Sequence, residues 1–173
     1  YGRRYQVSPV LVNTAKLTFQ LHDGAIQAVD AVYDMGIALT AGADYANLAA
    51  LEAAAPGAGT YVTCLALGLF RLGSAPAGKV TADARGDSTG SYLSKVGEIV
   101  QRILTTRCGV AASDIDTASF TALNTAAPGE VGFYTTSDTT RQEAIDVLLA
   151  SVGAWLAPTR TGQWQIGQLV APS

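Results

Sequence analysis

The chain has 173 residues, 49% hydrophobic and 14% charged, with a formal net charge of −3. That length can bury a core without metal or disulfide staples, and that balance excludes a disordered chain. A pI of about 5.0 leaves no electrostatic footprint for wrapping a phosphate backbone, so nucleic acid is not an expected partner, and the low charge fraction points to a surface partly covered by protein.

The first forty residues alternate apolar and polar positions and are rich in Val, Thr, Tyr and Phe, which predicts strands joined by turns. Tyr5-Gln6-Val7 and Val10-Leu11-Val12 flank Pro9, which suits an edge or a strand break. His22-Asp23-Gly24 supplies a turn before a strand over Gln27–Asp34. Strict alternation there puts Val29, Ala31 and Tyr33 on one face and Ala28, Asp30, Val32 and Asp34 on the other. Asp44–Ala55, dense in Ala, Leu and Glu, reads as a short helix ending before Pro56. Strand composition returns over Thr60–Cys64, Leu67–Leu72 and Lys79–Ala84.

From Ser91 the period changes. Val96, Ile99, Val100, Ile103 and Leu104 form one buried helical face, with Gly109 placed to end it. A second helix over Thr117–Asn124 buries Phe120 and Leu123, with Asp116 as N-cap. A third begins at the capping box Thr140-Arg141-Gln142-Glu143, buries Ile145, Leu148, Leu149 and Val152, and stops at Gly153. The Trp155–Gly167 stretch reads as a hairpin whose tryptophans pack on that third helix. The fold class expected is α+β: a β-rich part over 1–85 with one short helix, and over 86–173 the order helix, short helix, strand, helix, hairpin. The boundary is set in a loop over Ala84–Gly90, where the composition changes.

Little in the chain suggests catalysis. His22 is the single histidine and sits in a turn, and no Gly-x-Ser-x-Gly elbow occurs. Asp23, Asp30, Asp34, Glu52 and Glu98 are the carboxylates to weigh for glycan hydrolysis. Asp30 and Asp34, four apart on one strand, would lie about 13 Å from each other, too far for a carboxylate pair. Asp114-Ile115-Asp116 reads as helix capping rather than calcium binding. The glycines make no dinucleotide or Walker pattern. Cys64 and Cys108 lack metal or redox spacing and read as two buried thiols. Arg85-Gly86-Asp87 reads as a turn after a strand. Tyr1, Arg3, Arg4 and Tyr5 form a small basic-aromatic cluster. No catalytic, cofactor or metal residue is therefore assigned. No apolar run reaches the ~18 residues of a membrane span, and the opening at Tyr1 rather than Met suggests an internal piece of a longer parent.

Three segments of the amino half and three of the carboxyl half carry a likeness. They are Pro9–Asn13, Leu21-His22-Asp23-Gly24 followed by Ala28–Gly36, and Gly78–Gly86; then Val131–Tyr134, the helix after Thr140, and Val152-Gly153-Ala154-Trp155 leading to Gly162–Leu169. Together they resemble the tail-tip or baseplate-hub proteins of phages and prophages. The resemblance implies a non-enzymatic structural protein of the virion tail, made in the bacterial host. Its role would be a ring, trimeric in the parent, that joins the tail tube to neighbouring tail proteins. It carries no active-site residues. Alternatives are a glycan- or receptor-binding module stacking sugars on Tyr33, Tyr45, Tyr61 or Tyr134, and a wall-degrading hydrolase.

Overall fold

The computed structural model describes residues 1–169. The fold is α+β and divides into two compact units, one formed by Tyr1 and Arg3–Tyr92, the other by Gly2 and the residues from Leu93 on. The division falls later than the expected break at 85, because the last strand of the first unit runs through Asp87.

The first unit contains β1 (Arg3–Val7), β2 (Val10–Asn13), β3 (Thr18–Gln20), β4 (Ile26–Asp34), β5 (Ile37–Ala38), β6 (Thr40–Asp44), α1 (Leu48–Ala53), β7 (Thr60–Cys64), β8 (Leu69–Leu72) and β9 (Val80–Asp87). They build a four-stranded sheet of order β1-β9-β4-β5 and a five-stranded sheet of order β2-β3-β8-β7-β6. Pro9 marks a crossing between them, since β1 belongs to the first sheet and β2 to the second, each at an edge. A proline there removes no ladder hydrogen bond.

In the five-stranded sheet, the paired residues Val62, Arg71 and Thr18 share one face. On that face Val62, Cys64 and Leu69 bury Leu51 of α1. The opposite face carries the stacked rings of Phe19 and Phe70, with centroids 5.2 Å apart, and Tyr61 edge-on to Phe70. Asp44, expected to open the helix, is instead the last residue of β6, which pairs parallel to β7. Thr63 Oγ1 and the Leu65 N–H donate to Asp44 Oδ1 at 2.8 and 2.9 Å. The helix waits for Asn47, whose Oδ1 accepts from the Ala50 N–H at 2.9 Å. Residues 65–67 form a 3-10 turn ahead of β8.

In the four-stranded sheet, a bulge at Asp30 breaks the alternation expected for β4. Val29 opposes Ala84 and Val32 opposes Ala82, so these two valines share a face despite lying three apart. Arg85-Gly86-Asp87 is the end of β9 rather than a turn. Arg85 pairs across the sheet, and buried Asp87 accepts the Thr89 N–H at 2.9 Å.

The second unit holds α2 (Val96–Arg102), a π-helical turn over Ile103–Arg107, α3 (Thr117–Ala126), α4 (Arg141–Ala150), and a hairpin of β10 (Ala154–Pro158) and β11 (Trp164–Gln168). The predicted helical face is buried in full: Val96, Ile99, Val100, Ile103 and Leu104. Gly109 and Gly153 adopt the left-handed conformation expected of helix stops, at φ of 72° and 63°. Asp116 caps α3, which buries Phe120 and Leu123, and α4 starts with the expected box. There the Glu143 N–H donates to Thr140 Oγ1 at 3.1 Å and the Thr140 N–H to Glu143 Oε2 at 2.7 Å.

Three details differ from expectation. No strand forms between α3 and α4, although the Val131 N–H there donates to the Ser94 carbonyl at 2.8 Å. Trp155 lies against Gly167, its cross-strand partner, and keeps 40% of its surface exposed, while the Trp164 carbonyl accepts from the Asp116 N–H at the start of α3. Cys108, expected to be buried, is exposed where the π-helical turn ends, and only Cys64 is buried.

Candidate functional site

Two surfaces of the first unit stand out. The first is a polar network on the four-stranded sheet. Gln6 takes the left-handed conformation, φ 53°, at a register shift in β1. This aims its N–H at Asp83 Oδ1, 2.8 Å away, and its side-chain oxygen accepts from Thr81 Oγ1 at 3.0 Å. The Tyr33 hydroxyl donates to the other Asp83 oxygen at 2.9 Å. That hydrogen bond, ahead of partial burial and the aspartate charge, pushes the Tyr33 phenol above its ordinary range. Beside it the bulged Asp30 receives Arg85 Nη2 at 2.9 Å and lies 3.3 Å from Arg3 Nη2, while the Arg3 guanidinium sits 5.0 Å above the Tyr5 ring. Such half-exposed ion pairs are each worth about 0–1 kcal/mol. These hydrogen bonds and ion pairs tie β1, β9 and β4 together.

The second surface is the β2 edge. β2 has a sheet neighbour on one side only, β3. Its consecutive Val10, Leu11 and Val12 are 47%, 44% and 48% exposed. Successive strand residues point to opposite faces, so the edge is bare on both. A register shift between Leu11 and Asn13 bends the strand at Val12. An open edge with aliphatic side chains offers backbone hydrogen bonds and apolar surface together, which is what an added strand requires. More exposed aliphatics follow at the β4–β5 turn, where Met35 and Ile37 are two-thirds or more exposed.

The carboxylates considered for hydrolysis do not converge. Asp34 caps a loop by accepting the Ala77 and Gly78 N–H groups at 2.6 and 2.9 Å. Glu52 accepts from Asn13 Nδ2 at 2.7 Å, Glu98 from the Ser94 and Lys95 N–H groups at 3.3 Å each, and Asp23 lies 3.5 Å from His22 Nε2. His22 Nδ1 accepts from the Gly24 N–H at 3.0 Å, which locks the turn. Among the tyrosines considered for sugar stacking, Tyr61 is buried, and burial raises its phenol. Tyr45 packs on the Leu51 cluster. Burial likewise raises the Cys64 thiol, the direction of a structural rather than a reactive cysteine. Among the described residues no three His, Cys, Asp or Glu side chains gather to hold a metal ion, and no helix is long and apolar enough to cross a membrane.

Pro9 beside Val10–Val12 points to an edge or a strand break, but nothing local in the sequence singles out Gln6, Thr81 or Asp83. Their meeting depends on β1 pairing with β9 across some 75 residues, for which the chain carries no local signal. Compared with known proteins, the chain matches no family model, no curated protein and no solved structure.

Proposed function

We propose that this chain is a non-enzymatic structural module of a phage or prophage tail-tip hub, which joins copies of itself and neighbouring tail proteins. The observation that carries the reading is the β2 edge: three consecutive aliphatic residues exposed on both faces of an edge strand. A strand of that kind left bare is an aggregation hazard, so its natural state is one covered by protein. The resemblance of Pro9–Asn13 and Gly78–Gly86 to hub proteins supports the same direction, as does the low charge fraction of 14%. Repeating one head-to-tail contact around a closed rotation makes a ring from a single interface.

Carboxylates spent individually on turns, caps and ion pairs favour this reading over a wall-degrading enzyme, which needs two that converge. The test is light scattering coupled to size exclusion over a concentration series, on the chain and on Leu11→Lys. Association that the lysine abolishes supports the proposal. Identical monomers at every concentration refute self-assembly through this edge.

A further inference from the structure

The end of α1 is held on the five-stranded sheet by Arg71. Its Nη1 donates to the carbonyls of Leu51, Glu52 and Ala54, gathering acceptors that the helix end leaves without intrahelical partners. Asn13 adds a second tie through Glu52. Two polar atoms at this place have no hydrogen-bond partner in the protein: Arg71 Nε and the hydroxyl of Thr18, whose side chain is wholly buried. They belong to residues that oppose each other directly on β3 and β8, hence on the same face of the sheet.

We propose that a single internal water completes this clamp, bound between Thr18 Oγ1 and Arg71 Nε. Opposed side chains start about 4.5–5.5 Å apart at their Cβ atoms. One water making two hydrogen bonds of about 2.7–3.2 Å can join polar atoms up to about 6 Å apart. The chemistry suits water: it accepts from the Nε–H, donates to the threonine oxygen, and keeps a second hydrogen for the carbonyls gathered at the α1 end. Buried orphan donors are rare in folded proteins, and an internal water with two to four polar partners is the usual remedy. A direct bond would satisfy the same atoms, but these two side chains do not make one.

The test is a crystal structure at a resolution that orders internal waters, for the chain and for Thr18→Val and Thr18→Ser. The expected result is one density peak within hydrogen-bond distance of both atoms, kept with serine and lost with valine. Density for an ion, no density between the two atoms, or Thr18 Oγ1 bonded directly to a carbonyl overturns the proposal. Should the valine variant not fold, water-to-amide cross-relaxation in the unmodified chain decides. A long-lived water gives a cross-peak of the same sign as the diagonal to the Thr18 or Arg71 N–H, and absence of that peak overturns the proposal.

Discussion

Gly97→Ala sets two effects of known size against each other. Gly97 is the second residue of α2, and an alanine gains at most the helix-interior value of about 0.8–1 kcal/mol there. The structure reverses that sign. A Cβ at Gly97 would stand 2.8 Å from the Phe120 carbonyl oxygen and 2.6 Å from Asn124 Oδ1, both on α3. The Asn124 amide can turn away, but the carbonyl is backbone and moves only if the helices separate. Overpacking of this kind costs about 1–3 kcal/mol, so even against the full helix gain the net change is a loss of about 0–2 kcal/mol. Both tryptophans, Trp155 and Trp164, lie in the second unit, so their fluorescence follows the unit that contains Gly97. With a urea m-value of about 2 kcal/mol/M, the midpoint falls by up to about 1 M. A raised midpoint would mean that α2 and α3 do not approach this closely.

Other expectations follow from single groups. Thr140→Ala removes the N-cap of α4 and lowers stability by about 1 kcal/mol, measured in the same urea titration. The Thr140 N–H and then its hydroxyl hold the Glu143 carboxyl below its ordinary value of 4.5. Its contribution is therefore present above pH 4.5 and lost as pH falls through the lower folded value, a dependence that disappears in Glu143→Gln. A thiol reagent modifies Cys108 in the native chain and reaches Cys64 only after unfolding, since one is exposed and the other buried. Equal native reactivity of the two, followed by mass spectrometry of the labelled peptides, would contradict the packing beneath α1.

The helical half was the more legible part of the sequence. Its signals are local: the spacing of Val96, Ile99, Val100, Ile103 and Leu104, the Asp116 and Thr140 caps, and the glycines at 109 and 153 each act within one or two turns. The β half was legible as strands but not as sheets. Thr40–Asp44 is poor in β-branched and aromatic residues and becomes a strand only because β7 lies beside it. The bulge at Asp30 is an insertion relative to β9, so alternation within β4 alone misassigned Val29 and Val32. The Gln6–Asp83–Tyr33 network was invisible for the same reason, because it depends on which strands pair. Pro9 next to Val10-Leu11-Val12, by contrast, marks an edge or a strand break locally, though not the exposure of all three aliphatics.

The β2 edge is the point on which the assembly reading rests, and the mass in solution across a concentration series tests it most directly. An oligomer that grows with concentration is expected in the unmodified chain, with Leu11→Lys remaining monomeric. A monomer at every concentration for the chain and for any longer protein that contains it, or an oligomer indifferent to Leu11→Lys, would contradict the account.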